Sequence, residues 1–109
     1  MANTFKNKGL TNIYSKQTMY TTPSSTVTTI LGLTVANVTS SDITASVFAY
    51  DSSGSLEVHL IKNATIPVGG SLVVIGGNQK VILETSDEIR VETSASNSGD
   101  AFLSYLEQT

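Results

Sequence analysis

Apolar and polar residues alternate with a period of two along most of this chain. The pattern is clearest in residues 26–37, where the odd positions 27, 31, 33 and 35 are apolar and the even positions 26, 28 and 34 are threonine. Such alternation is typical of a β-strand with one face in the core and the other facing water. It predicts a strand here whose core face carries Val27, Leu31, Leu33 and Val35.

The same period recurs in short runs separated by clusters of turn-forming residues. Asp51 to Ser55 and the Gly69-Gly70 and Gly76-Gly77 pairs interrupt the alternation, and Pro67 cannot donate a ladder hydrogen bond. Strands are predicted over residues 17–21, 26–37, 43–50, 56–66, 71–75, 80–83, 88–93 and 101–106.

These runs predict an all-β protein: a two-sheet antiparallel β-sandwich of about eight strands, immunoglobulin-like or jelly-roll in topology. Short strands at regular spacing, and no stretch with helical periodicity, favour this class. Residues 1–15 are expected to form an extended N-terminal arm, and residues 16–109 the sandwich domain. A chain of 109 residues is long enough for one core.

Composition supports this fold and suggests an assembly. Charged residues make up only 14% of the chain, whereas Thr and Ser occur 15 times each. β-Branched residues suit a pleated sheet, and a surface so poor in charge suggests contact with other protein copies. The chain has no Cys and therefore no disulfide or thiolate site, and it shows neither a signal peptide nor a membrane-spanning run.

Charge is unevenly distributed. The first 41 residues carry Lys6, Lys8 and Lys16 and no acid, and the remainder carries nine acids against Lys62, Lys80 and Arg90. The resulting +3 and −6 sum to the net charge of −3. This asymmetry could steer head-to-tail contacts between copies, or the three lysines could simply solvate the start of the chain.

No group of residues points to catalysis. His59, the one histidine, lies in mid-strand with neither metal-ligand spacing nor a nucleophile beside it, and it is interpreted as a structural or surface residue. The acids Asp42, Asp51, Glu84, Asp87 and Asp100 fall in predicted turns, where such side chains accept backbone hydrogen bonds. We therefore expect no enzyme activity, no catalytic residue, no metal site and no cofactor.

Other binding classes are also disfavoured. The glycine pairs lack the Lys-Ser/Thr and following helix of a phosphate cradle. An acidic protein with Tyr14 and Tyr20 among three lysines is a poor nucleic-acid platform. What remains is a protein-binding surface, since Thr/Ser-rich strands with few lysines leave sheet edges able to pair with another chain.

The order of residues resembles small β-sandwich virion structural proteins of tailed bacteriophages, particularly those of marine and cyanobacterial hosts. The segments that carry the resemblance span nearly the whole chain: IY (13–14), MYTTP (19–23), TILGLTVAN (29–37), VHLIK (58–62), IPVGGSL (66–72), KVILETSDEIRV (80–91) and LSYLE (103–107).

The resemblance implies a non-enzymatic virion component that is assembled in the cytoplasm of the bacterial host. The leading expectation is a capsid decoration or cement protein that binds the shell, and the alternative is a neck, collar or tail accessory protein. Its partners would be other virion proteins and copies of itself in a homo-oligomer, a trimer being one candidate, with neither nucleic acid nor membrane. A carbohydrate-binding β-sandwich module is the alternative from another class.

Overall fold

The computed structural model describes residues 2–109 and contains nine β-strands. Their bounds are β1 Asn3–Ile13, β2 Gln17–Thr21, β3 Val27–Asn37, β4 Ile43–Asp51, β5 Leu56–Ile66, β6 Ser71–Ile75, β7 Val81–Leu83, β8 Glu88–Thr93 and β9 Gly99–Gln108. The strands form two antiparallel sheets packed as a sandwich, which confirms the predicted class. Within residues 2–109, no helix is long and apolar enough to cross a membrane.

The strand order selects between the two expected topologies. Sheet A has the order β1-β9-β3-β6, with β7 also paired to β3, and sheet B has the order β2-β8-β4-β5. Strands β1, β2, β3 and β4 pair with β9, β8, β7 and β5, respectively. This reverse order of pairing is that of one long hairpin folded into two layers. This is the jelly-roll arrangement and not the immunoglobulin one.

The core lies between the two sheets and consists mainly of β-branched and leucine side chains. Side chains that are almost completely buried come from all nine strands, so both layers contribute. Close packing of such residues supplies most of the favourable free energy of folding. The largest of them are Ile13, Met19, Ile30, Leu33, Ile66, Ile75, Ile89 and Leu103.

Strand β3 departs from the predicted alternation because it contains a bulge. The register with β9 shifts between Ile30 and Gly32, so the buried positions change from even to odd numbers at that point. Thr28 and Ile30 are buried before the bulge, and Leu33 and Val35 are buried after it. The prediction that Val27 and Leu31 lie in the core was therefore wrong, whereas it was correct for Leu33 and Val35. An inserted residue breaks the period of two.

The segment predicted as an extended arm is extended but lies within a sheet. β1 pairs with β9 from Asn3, opposite Gln108, to Ile13, opposite Gly99, as the edge strand of sheet A. Most of its residues are exposed, although Ile13 is completely buried. The division of the chain into residues 1–15 and 16–109 remains a prediction.

Two predicted turns contain glycines in the backbone conformation that turns require. Gly69 has φ of 73° and Gly77 has φ of 62°, both in the left-handed region that most residues avoid. The amide of Gly70 donates to the carbonyl of Pro67 at 2.9 Å and closes the first turn. These turns join β5 to β6 and β6 to β7. Because β6 and β7 both pair with β3, the fourth strand position of sheet A consists of two short strands.

Candidate interaction surface

The outer face of sheet A carries several large apolar side chains that are exposed to solvent. In antiparallel strands, directly opposite residues point to the same side of the sheet. Because Leu103 and Tyr105 are buried, Phe102, Ser104 and Leu106 point outward, together with their partners on the neighbouring strands. We call this the A face and define it by Phe5, Asn7, Gly9, Val27, Thr29, Leu31, Gly32, Thr34, Ala36, Ser71, Val73, Ile82, Asp100, Phe102, Ser104, Leu106 and Gln108.

Large apolar side chains on the A face are solvent-exposed to an unusual extent. Phe5 is 75% exposed, Val73 65%, Ile82 59% and Phe102 53%. Asp100, near one end, is the one charged residue among the positions that define the face. Contiguous apolar surface without charge is typical of the centre of a protein–protein interface, where charged residues are depleted.

Two shallow depressions lie on the A face. One, of about 310 Å³, lies over the small residues Gly9, Thr34 and Ala36, with Phe102 beside them. The other, of about 260 Å³, is lined by Phe5, Asn7, Leu31 and Ser104, among others. The bulge in β3 therefore has a consequence at the surface, because it turns Leu31 out of the core. Alternating prominences and depressions of this size suit the insertion of single side chains from a partner.

The outer face of sheet B has the opposite character. Lys16 and Arg90 both donate to the carboxylate of Glu57 at 2.8 Å, and Arg90 also donates to Glu88 at 2.9 Å. The Arg90 guanidinium lies 4.1 Å from the ring centroid of Tyr50. These ion pairs and cation–π contacts cover the sheet with groups that are already partnered within the chain.

The ion pairs on sheet B shift the titration of their carboxyl groups. Hydrogen bonds from Lys16 and then Arg90 hold the pKa of Glu57 below its ordinary value. A hydrogen bond from Arg90 has the same effect on the pKa of Glu88. Both carboxylates therefore stay ionised at neutral pH, where a partner docking on this face would have to desolvate them. This makes sheet B the less favourable docking face.

His59 is exposed on edge strand β5 and packs against an aromatic ring. Its imidazole lies 4.5 Å from the ring of Phe48, centroid to centroid, and Lys16 Nζ lies 4.4 Å from the same ring. The side chains around it cover Phe48, which is itself buried although it sits on the outer side of sheet B. This is the surface role that the sequence suggested for the histidine.

Four of the five acids that the sequence placed in turns accept backbone hydrogen bonds, although the turn placement was wrong for Asp51, which ends β4, and for Asp100, which lies in β9. Asp42 accepts from the amide of Val68, Asp51 from Gly54, and Asp100 from Asn12. Asp87 is buried, and its two oxygens accept from the amides of Ser52 and Glu84. The contacts of Asp42, Asp51 and Asp87 fix turns, whereas that of Asp100 joins β9 to the bulge in β1.

One group of acids comes close together. Carboxylate oxygens of Asp51, Glu84 and Asp87 lie within 4.8 Å of one another. The Asp87 oxygens, however, are already held by backbone amides at 3.0 and 2.9 Å. The grouping is explained by the β4–β5 and β7–β8 turns, which meet at this end of the sandwich, and it does not by itself indicate a bound cation.

Edge strand β1 carries two lysines that disfavour pairing of this sheet edge with another chain. Lys6 and Lys8 lie opposite Tyr105 and Leu103, so strand alternation places them on the inner side of β1. Inward-pointing charge and a bulge near a strand end are known means of preventing edge-to-edge pairing, and β1 has its bulge between Leu10 and Ile13. The A face is therefore a better candidate for an interaction surface than this edge.

The expected electropositive arm is also partly neutralised within the chain. Lys6 Nζ lies 2.8 Å from Glu107, and Lys16 Nζ lies 2.8 Å from Glu57. Two of the three early lysines thus have acidic partners in the same molecule. This weakens head-to-tail steering as an assembly mechanism.

The sequence did not identify the A face because both faces of the strands concerned are apolar. In β9, Phe102 and Leu106 alternate with Leu103 and Tyr105, so hydrophobicity alone cannot say which pair is buried. Phe5 and Phe102 are noticeable as aromatic residues, but the register that brings them onto one face is a property of the folded sheets. A signal was present in the lack of charge along β3, β6, β7 and most of β9.

No family model matches this chain, and no curated protein is similar to it in sequence. Solved structures do share its fold. A chain of the T13 particle of infectious bursal disease virus aligns with a TM-score of 0.57 and 11% identity over 96% of this chain, which spans only 30% of that longer one.

Two further structures align over most of both chains. A capsid chain of the Helicobacter pylori bacteriophage KHP30 gives a TM-score of 0.55 at 10% identity, covering 98% of this chain and 87% of that one. The Drosophila NLP core, described in terms of pentamer formation and histone binding, gives 0.54 at 9% identity, with 96% and 98% covered. At these identities the similarity shows a common jelly-roll fold.

Proposed function

We propose that the chain is a non-enzymatic structural protein of a bacteriophage virion, and that it decorates or cements the capsid shell through protein–protein contacts. The observation that carries this proposal is the A face on a jelly-roll domain, which has large exposed apolar side chains and Asp100 as the one charged residue among its defining positions. Such a face costs little desolvation free energy when another protein covers it, and each contact can be modest because many copies act together.

The structural neighbours support a virion role at the level of fold. A jelly-roll is common in viral capsid domains, and two of the aligned chains come from a viral particle and a phage capsid. The sequence resemblance to phage virion proteins points the same way. Fold alone does not determine function, so the proposal depends on the surface rather than on the topology.

A position at the neck, collar or tail is the second candidate within the same class. The A face could bind a protein there as well, because an apolar face can bind an apolar protein surface at any position in the virion. Capsid decoration is favoured by the size of the protein, since a single small domain can occupy each repeated site on a shell.

Carbohydrate binding is less well supported by the surface. Sugar sites combine an aromatic platform with polar groups that fix the hydroxyls. The A face offers two exposed aromatic rings, Phe5 and Phe102, on different strands and without a tryptophan, and Phe48, on sheet B, is buried under His59 and Lys16.

Cryo-electron microscopy of particles from the phage that encodes this chain tests the proposal. We expect sandwich-shaped density in many symmetry-related copies on the shell, with the A face covered at the contact. Density only at the neck or tail would replace decoration by the second candidate. Particles that lack the protein at all of these positions would refute a virion role.

A further inference from the structure

The A face is organised in rows that run across the strands. The strand registers place Phe5, Leu106, Thr29 and Ile82 in one row, Asn7, Ser104 and Gly32 in the next, and Gly9, Phe102, Thr34 and Val73 in the third. Neighbouring rows are about 7 Å apart, since they are separated by two residues along each strand. The middle row has the smallest side chains.

The two outer rows are complementary to each other at three of the four strand positions, and on β3 two threonines, Thr29 and Thr34, correspond. On β1, the highly exposed Phe5 of the first row corresponds to Gly9 of the third. On β9, Leu106 corresponds to Phe102, and on the fourth strand position Ile82 corresponds to Val73. A large apolar group in one row is thus matched by a small or apolar group at the same strand position in the other.

We infer that the A face binds a second copy of this chain, with a two-fold axis that lies in the interface, across the strands, above Ser104. A rotation about this axis lays the first row of one copy on the third row of the other. Phe5 then projects onto the depression over Gly9, and Phe102 meets Leu106, in both directions at once. This is the isologous contact of a closed dimer, in which two sheets pack face to face.

Charge favours the same partner. The chain has a net charge of −3, so two copies repel each other unless they meet through a neutral surface. The three rows contain no ionisable side chain among their described residues. Beyond them, the axis brings Asp100, the charged residue of the A face, toward Gln108 of the other copy, whose amide can donate to a carboxylate.

The area of the face is sufficient for a dimer of moderate stability. Four strand positions about 4.8 Å apart and five rows about 7 Å apart give roughly 600 Å² per copy. The total of roughly 1,200 Å² lies at the lower limit of stable protein–protein interfaces. The dimer should therefore exchange with monomer in a concentration-dependent manner. This inference rests on the proposed function only in treating the A face as a protein-binding surface.

Substitutions of Ser104 test the inference, because a residue on a two-fold axis lies opposite the same residue of the other copy. Sedimentation velocity of the full chain over a concentration series should show a monomer–dimer equilibrium. Ser104→Lys and Ser104→Glu should each remain monomeric, since like charges then meet at the axis. An equimolar mixture of the two variants should dimerise again, and native mass spectrometry with one variant isotope-labelled should detect the heterodimer.

Matched controls separate docking from folding. Thr65→Lys and Thr65→Glu place the same charges at an exposed position of β5, on the other sheet, and should leave dimerisation unchanged. Phe5→Ala removes an exposed side chain that folding does not need, and it should weaken dimerisation by about tenfold or more. Circular dichroism checks that each variant is folded.

Several outcomes would overturn the inference. A wild-type chain that stays monomeric or forms only trimers, a dimer that tolerates both Ser104 variants, or a mixture that stays monomeric would each contradict the two-fold contact. A monomeric protein found on particles would leave the virion role standing without the dimer. A protein that forms the dimer but is absent from particles would support the dimer and contradict the virion role.

Discussion

The hydroxyl of Tyr20 donates a 2.6 Å hydrogen bond to the carboxylate of Glu107, and both residues are buried. The bond joins β2 of sheet B to β9 of sheet A. The second oxygen of Glu107 accepts from Lys6 on β1 at 2.8 Å, and the Tyr20 hydroxyl also lies 2.8 Å from Thr28 on β3. This network around one buried carboxylate thereby connects four strands, and the contact with Lys6 holds the edge strand β1 beside the core.

Removing the Tyr20 hydroxyl should destabilise the sandwich. Tyr20→Phe leaves an oxygen of Glu107 without its donor in a buried position, which should lower the free energy of unfolding by about 1–3 kcal/mol. Chemical denaturation measures this loss. Tyr14→Phe is the matched control, because Tyr14 is exposed and its change should be within about 0.5 kcal/mol. Equal effects of the two substitutions would contradict the role given to Tyr20.

The fold should lose stability in acid because of Glu107. The hydrogen bond from Lys6, followed by that from Tyr20, holds the pKa of Glu107 below its ordinary value in the folded state. A depressed carboxyl pKa contributes stability above the unfolded pKa of about 4.3, and this contribution is lost as the pH falls through the folded pKa.

Lys6→Met should therefore lower stability most at neutral pH, and the difference from wild type should shrink below about pH 4. Thermal melts of both proteins from pH 7 to pH 3 would measure this difference. A difference that is constant over this range would show that Lys6 contributes by packing and not through its charge.

The bulge in β3 makes opposite predictions for two leucines in one strand. Leu33 is fully buried, so Leu33→Ala should cost about 2–5 kcal/mol of unfolding free energy. Leu31 lies on the outer side next to Phe5 and Ser104, so Leu31→Ala should cost clearly less. Urea denaturation of the two variants compares them directly, and a larger loss at Leu31 would mean that the strand has no bulge.

Truncation tests whether residues 16–109 form the domain. We predict that a chain beginning at residue 16 still forms a sandwich, because β9 keeps its pairing with β3. It should be less stable by about 2–5 kcal/mol, since the buried side chain of Ile13 is lost. A chain beginning at residue 13 is the control and should retain more stability. Complete unfolding of the shorter chain would show that β1 is an integral part of the domain.

Much of the fold could be predicted from local chemistry. The period of two located the strands, and glycine and proline located the turns, because both signals depend on a few neighbouring residues. What could not be predicted is set by contacts between distant residues. The bulge at Leu31 and the pairing of Asn3–Ile13 with β9 depend on residues far apart in sequence.

The candidate surface was missed for the same reason. Phe5 and Phe102 are almost a hundred residues apart, and only the β1–β9 register brings them onto the A face. The lysines of the first strand suggested a charged arm, whereas Lys6 has a buried partner in Glu107. A composition poor in charge predicted an interaction protein, but the candidate surface could be located only in the folded chain.

We propose that this protein binds other proteins in a virion through the A face. The copy number of the protein on purified particles, by quantitative mass spectrometry, should be compared for wild type, Phe102→Asp and Arg90→Ala. We expect Phe102→Asp, on the A face, to be lost from particles and Arg90→Ala, on sheet B, to be retained at the wild-type level. Retention of Phe102→Asp at the wild-type level would show that the A face is not the binding surface.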